Sequence, residues 1–484
     1  MKILFVYSLD NINTPSKPLT TPEQMQFGIS YISAFLKERG HETRLMVLVK
    51  SLGNRNMETV KKCLEEFRPQ LICFTAVSSE YRFMAEIAGY IKKKYPKIYL
   101  LAGGVHVSLN PNDAIGDHFN ALCVGEGEQA VYELVEQLQK GVIPSRIPNL
   151  WFKCDGKVEK NPPRLFIENL DRLPFPDRQM WEEWIEERPG AEYPVLLGRG
   201  CPFECAYCSN HALKKIGAGA YVRFRSTDNI MAEIRQISRQ FPAKKEIYLE
   251  IESFGVNKDW ALELCMNLER LNSTLTRPLA FRVNLRITSQ PDFEGLFAAC
   301  QKANFSAINI GLESGSERVR KAILRRSYSN QDVINTVTLA RKYGLKIAFF
   351  NMIGLPGETI LDFKETVAIN RRCLPDQHYT SIFFPYPGTD LYHKCEKREL
   401  LGSHRDVEME RSRATLSLPG FSKRQIQKSY IFFDYYVFKG HKPMRKIADR
   451  VIVSACMSNR ILYHVYLKIR RLPLFSFIKK MARR

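Results

Sequence analysis

Gly198-Arg199-Gly200-Cys201-Pro202-Phe203-Glu204-Cys205-Ala206-Tyr207-Cys208 is the stretch on which the reading of this chain turns. It follows an apolar run, Val195–Gly198, so its three cysteines stand in a glycine-flanked loop at the carboxyl end of a strand. Thiolates separated by three and then two residues can wrap one loop around three corners of a [4Fe–4S] cube. The fourth iron then has no protein ligand, and an open position is what a catalytic metal centre keeps. A structural zinc knuckle is the competing reading. It asks for a fourth Cys or His at matched spacing, and His211, three residues past Cys208, continues that pattern poorly.

Outward from this loop, strand and helix patterns alternate in both directions. Downstream, Glu246–Ile251, Ala280–Asn284, Ala307–Gly311, Lys346–Met352 and Ser381–Phe384 read as strands separated by helices. With the first strand they make six βα units, the pattern of a partial (β/α)6 barrel. Upstream, Ile3–Tyr7, Thr43–Val49, Leu71–Ala76, Ile98–Ala102 and Ala121–Val124 alternate with helices, which predicts a flavodoxin-like doubly wound parallel sheet. Ligands of such sheets bind at the carboxyl ends of the strands. Gly103-Gly104-Val105-His106 and Gly125-Glu126-Gly127-Glu128 fall there. The fold class is therefore α/β, with four parts: a doubly wound domain (1–145), a hairpin and Pro-rich linker (146–185), the barrel (186–395) and a helical basic region (396–484).

Composition places the chain among globular proteins, with 45% hydrophobic and 25% charged residues in 484. No apolar stretch is long enough for a membrane-spanning helix, and the N-terminus reads as a first strand, not a signal peptide. A cytoplasmic location is expected. The other cysteines are scattered, and most lie in apolar periodic runs, where a thiol behaves as a small hydrophobe. The net charge of +21 is uneven: residues 421–484 hold sixteen Lys or Arg against two acids. That points to an acidic partner for the tail alone.

The cysteine loop, with Tyr207 before its last Cys, resembles the signature of the radical SAM superfamily. Ile310-Gly311-Leu312-Glu313-Ser314-Gly315, Gly354-Leu355-Pro356-Gly357-Glu358 and Pro385-Tyr386-Pro387-Gly388-Thr389 resemble its later landmarks. The N-terminal sheet, its two glycine motifs and the linker Leu173-Pro174-Phe175-Pro176 resemble the cobalamin-binding subfamily, so the likeness spans roughly residues 1–395. An Asp-x-His-x-x-Gly motif, which supplies an axial histidine to cobalamin elsewhere, is absent: the first loop reads Ser8-Leu9-Asp10-Asn11-Ile12-Asn13.

The resemblance implies a [4Fe–4S] cluster on Cys201, Cys205 and Cys208, reductive cleavage of S-adenosylmethionine, and hydrogen abstraction from an unactivated carbon. For S-adenosylmethionine it implies contacts from Tyr207, Glu252, Arg286, Glu313 and Ser314. For cobalamin it implies Gly103, Gly104, His106, Gly125 and Glu126. A solvent-facing acid is the plain alternative for Glu252, a structural ion pair for Arg286 and an exposed loop histidine for His106, whereas paired glycines such as Gly103 and Gly104 at a strand end have few purely structural reasons. No catalytic residue is singled out. The leading activity is cobalamin-dependent methylation of a lipid or secondary metabolite. The alternative is an oxidative cyclase or other C–H functionalising enzyme without methyl transfer. An electron donor such as flavodoxin or ferredoxin is implied.

The tail has two readings. It is either a helical lid on the barrel, the preferred one, or a basic aromatic surface that touches anionic membrane and gathers a lipid. Nucleic acid is not expected, since the extra cysteines and appended β-barrel of tRNA-modifying relatives are missing.

Overall fold

Successive residues of a strand face opposite sides of a sheet, and the first strand is apolar on both. Ile3 and Phe5 pack into one helical layer, Leu4 and Val6 into the other, and all four are 0% exposed. Continuous apolar runs of this kind mark parallel sheets covered on both faces. The computed structural model, which describes all residues except 11–16, 20, 22–23, 155, 187–191, 243–244, 403–409, 460–461, 464 and 467–484, has that sheet. Its strands are β1 (Lys2–Leu9), β2 (Glu42–Val49), β3 (Leu71–Thr75), β4 (Tyr99–Gly103), β5 (Ala121–Cys123), β6 (Leu150–Cys154) and β7 (Lys157–Lys160). The order is β2-β1-β3-β4-β5-β6-β7, the first five parallel and the last two antiparallel. The hairpin grouped with the linker by sequence is thus the edge of this sheet. Exposed Lys157 and Lys160 on β7 guard that edge against further pairing.

The second sheet runs through β8 (Tyr193–Leu196), β11 (Glu246–Glu250), β12 (Ala280–Leu285), β13 (Phe305–Glu313), β14 (Lys346–Ile353) and β15 (Gln377–Ile382). All neighbours are parallel, and β8 and β15 are its two unpaired edges, so the barrel is open. Between β8 and β11 a short antiparallel ladder joins β9 (Gly198–Arg199) to β10 (Arg223–Phe224). The barrel interior differs from the packed apolar core of a closed (β/α)8 barrel. On β11 and β12, Ile247, Leu249, Phe281, Val283 and Leu285 are buried in the apolar core. The alternate positions Tyr248, Glu250, Arg282 and Asn284 take the other face, which leaves a polar interior.

Beyond the barrel, helices Lys423–Ile431 and Phe433–Phe438 bury Phe421, Ile426, Phe433, Val437 and Phe438 against barrel residues such as Ile353 and Phe363. Helix Met444–Met457 buries only Ile447. No described helix is long and apolar enough to cross a membrane. The tail residues Arg470, Arg471, Lys479 and Lys480 lie outside the described residues.

One charged contact ties these helices down. His378 on β15 meets Asp434 at 3.0 Å and stacks on Phe438 at 5.0 Å, and Arg450 approaches Asp434 at 3.3 Å. Burial alone would raise the Asp434 carboxyl, but the His378 and Arg450 contacts outweigh it and hold it below the usual carboxylate range. A depressed carboxylate adds stability above its unfolded value and loses it as pH falls. Asp434→Asn is therefore expected to cost about 2 kcal/mol near neutrality. In chemical denaturation the gap from wild type should narrow below about pH 4. An equal gap at both pH values would contradict this role.

Candidate active site between the two sheets

The carboxyl ends of both sheets face one cavity of about 420 Å³. From the N-terminal domain it is lined by Gly103, Gly104, Gly125 and Glu126, and from the barrel by Arg199, Glu250, Glu252 and Asn284. Its inner end is a slot in the N-terminal domain. There Phe27, Gly28, Ile32 and Val131, from helices Phe27–Lys37 and Glu128–Gln139, face Phe5, Cys73 and Leu101 of the sheet. The cysteine loop flanks the cavity, since Gly198–Gly200 before it and Asn210, Leu213 and Ile216 after it all line the wall.

The loop's shape follows from its glycines and anchors. Gly200 has φ +85°, and a Cβ there would stand 2.0 Å from the Tyr221 carbonyl oxygen, so only glycine fits. Ala206 donates to the Leu324 carbonyl at 3.3 Å and accepts from the Leu391 amide at 2.9 Å. These bonds pin the loop to the barrel. Cys205 is buried, and the Arg286 guanidinium reaches its Sγ at 2.5 Å while lying 3.8 Å over the Phe203 ring. Burial pushes the Cys208 thiol up to about 12, with Glu252 and the other two cysteines adding to the effect. The three thiols on this one loop are a donor set that a metal cluster would take as thiolates. Among the described residues no three His, Cys, Asp or Glu side chains form a group that would hold a single metal ion. His211 is turned to Asp390, 3.3 Å away.

The carboxylates at the end of β11 are the main electrostatic feature. Glu252 opens to the cavity and accepts from Asn210 at 2.7 Å, and Tyr221 donates to Asn210 at 2.8 Å. Glu250, which the sequence reading passed over, lines the same wall. Burial, and then the charge of Glu252, raise its carboxyl to about 7. A carboxyl raised in the fold favours folding while protonated and loses that contribution between its unfolded value and about 7. Glu250→Gln is therefore expected to match wild type near pH 4.5 and to exceed it by about 2 kcal/mol at pH 8. Thermal or denaturant unfolding of the ligand-free protein measures this, and equal stability at pH 8 would refute it.

The other expected residues are placed as follows. Glu313 ends β13 in the left-handed region (φ 60°) and meets Arg326 at 3.2 Å. Tyr207 is packed against the apolar cluster beneath the loop, with Arg326 and Glu313 nearby. Ser314 is 0% exposed, its hydroxyl accepting from the Ser316 amide at 3.2 Å with Thr366 at 3.3 Å. Glu126 is engaged across the domains, at 3.1 Å from Arg199 and 2.9 Å from Arg223, and Glu128 reaches Arg199 at 2.6 Å. Gly104 owes its glycine to the fold: φ is +95°, and a Cβ would stand 2.8 Å from the Ala76 carbonyl oxygen. His106 faces away from this cavity, stacked on Tyr81 at 4.2 Å with Nδ1 3.1 Å from the Ser78 hydroxyl. Of the later landmarks, Gly354–Glu358 is a turn held by Glu358, which accepts from the Gly354 and Leu355 amides at 2.5 and 3.0 Å.

A doubly wound domain set over a partial barrel, with a three-cysteine loop flanking their common cavity, defines a class. The Radical SAM superfamily profile matches residues 195–368, and the B12 binding domain profile matches residues 22–135. The chain carries a radical SAM domain preceded by a B12-binding domain. Those two domains imply S-adenosylmethionine and cobalamin as cofactors.

Among its relatives is an uncharacterized methyltransferase of Pyrococcus horikoshii, 26% identical over 90% of this chain and 92% of the relative. A cytidylyl-2-hydroxyethylphosphonate methyltransferase of Streptomyces wedmorensis is 20% identical over 81% of this chain and 82% of its own. An anaerobic magnesium-protoporphyrin IX monomethyl ester cyclase of Cereibacter sphaeroides is 20% identical over 75% and 59%. In fold, the chain is similar to the cobalamin-dependent S-adenosylmethionine radical enzyme OxsB (TM-score 0.67, 16% identity, 99% and 76% covered). It is also similar to the methyltransferase TsrM from Kitasatospora setae (TM-score 0.64, 16% identity, 84% and 79% covered).

Proposed function

We propose that this protein is a cobalamin-dependent radical SAM methyltransferase that adds a methyl group to an unactivated carbon of a small-molecule or lipid substrate. The observation that carries this reading is the cavity shared by the B12-binding domain and the barrel, with the cysteine loop at its flank. Cys201, Cys205 and Cys208 would hold the cluster, and Glu250 and Glu252 present carboxylates suited to the ammonium of S-adenosylmethionine. Arg286 lies against Cys205 and over the Phe203 ring, and so is less free to clamp a carboxylate than the resemblance implies. The slot between helices Phe27–Lys37 and Glu128–Gln139 is apolar and would take an apolar part of cobalamin. When bound, the cofactors supply the radical and the methyl carrier, and the protein orients them and excludes water. The ion pairs of Glu126 and Glu128 with Arg199 and Arg223 hold the two domains against each other around that space.

An electron from a low-potential donor completes the chemistry. If the substrate is a lipid, helix Met444–Met457 offers Arg445 and Lys446 beside exposed Met444, Ile452 and Met457 to an anionic surface. The cyclase among the relatives keeps a second reading open, in which no methyl group moves. Product analysis of the reduced holoenzyme with substrate separates the two. Methyl transfer yields both 5′-deoxyadenosine and S-adenosylhomocysteine, whereas 5′-deoxyadenosine alone would sink the methyltransferase reading.

A further inference from the structure

A second hollow, of about 530 Å³, lies on the other side of the short helix Val105–Leu109. Val105 and Ser108 of that helix line the main cavity, while His106 between them lines this one. Both domains build it. Tyr81, Glu86, Asp113 and Asp117 come from the doubly wound domain, and Phe384, Pro385 and Pro387 come from the end of the last barrel strand.

Three features point to one kind of ligand. His106 is 9% exposed, its Nδ1 is held by Ser78, and its Nε2 has no partner among the described residues. The wall carries three carboxylates, Glu86, Asp113 and Asp117, against the one guanidinium of Arg82. That balance is the reverse of the chain as a whole, which is +21. The opposite wall is apolar, with Phe384 5% exposed between β15 and Pro385. Burial lowers the His106 imidazole to about 4. It is therefore neutral in the cell's pH range and adds no charge that would repel a cation.

We propose that this hollow is a binding site for an amine: a ligand whose ammonium group meets Glu86 and Asp113, whose polar atom meets His106 Nε2, and whose apolar body rests on Phe384 and the two prolines. Because both domains form its walls, an occupant here also ties the B12-binding domain to the barrel. The proposal does not depend on whether the enzyme transfers a methyl group.

The test uses anaerobic holoenzyme carrying ring-labelled histidine, with benzylamine as the probe and benzoate as its oppositely charged counterpart. The His106 signal is assigned by its loss in His106→Gln, or by the Asp113→Asn perturbation if that variant does not fold. Benzylamine is expected to move the His106 signal saturably. Glu86→Gln with Asp113→Asn, both at exposed positions, is expected to weaken this by about fivefold or more, the worth of a partly exposed charge pair. Benzoate should leave the signal in place. An unmoved His106 signal, an equal response to benzoate, or undiminished affinity in the double variant would each overturn the proposal.

Discussion

Anaerobically reconstituted protein in which Cys201, Cys205 and Cys208 are all alanine is expected to bind no cluster. Iron should fall from about four atoms per chain to background, and S-adenosylmethionine cleavage should fall with it. The expectation rests on geometry as well as motif. The three thiols share one loop whose path is fixed by Gly200 and by the Ala206 backbone bonds to Leu324 and Leu391. Cys265→Ala is the control, since Cys265 is 1% exposed in the barrel core, 4.0 Å from Cys300 and on the helix side of the sheet. It should keep both iron and cleavage. A triple variant that retained four irons would move the cluster elsewhere in the chain.

The second large effect concerns the slot. Gly28 is the second residue of helix Phe27–Lys37, lines the cavity, and has nothing within 4 Å of where a Cβ would stand. Glycine is a weaker helix former than leucine, and Gly28 is not held in a backbone conformation that only glycine adopts. Gly28→Leu should therefore fold at least as well as wild type while filling the slot. Cobalamin retention is expected to drop about tenfold or more, with an unchanged or higher melting temperature and normal iron content. Retention equal to wild type would remove the slot from the cobalamin site. The same experiment at Gly104 would be uninformative, because a side chain there strikes the Ala76 backbone and reports on folding.

Much of the architecture is legible in the sequence because it is written in local period. The apolar runs of β1, β3 and β4, and the alternation of apolar and polar residues in β11 and β12, each announce their strand. The cysteine loop is legible for the same reason, being one continuous segment. What is not legible is what distant segments do together. The hairpin Leu150–Lys160 gives no local sign that it pairs with β5. Glu126 carries no mark of Arg199 or Arg223, which stand 73 and 97 residues away. Phe27, Ile32 and Val131 read as ordinary helix residues, yet they wall the slot. His106 sits three residues past a strand end that faces the main cavity, and the turn of one short helix carries it to the other side. Glu250 stands in the same acidic strand end as Glu252, but nothing local singles it out until its burial beside Glu252 is seen.

The central claim is that cobalamin and the cluster share the cavity between the two sheets, and the corrinoid content of anaerobically purified and reconstituted protein tests it most directly. The account predicts about one corrinoid per chain alongside about four irons. A full complement of iron with no corrinoid taken up would contradict it.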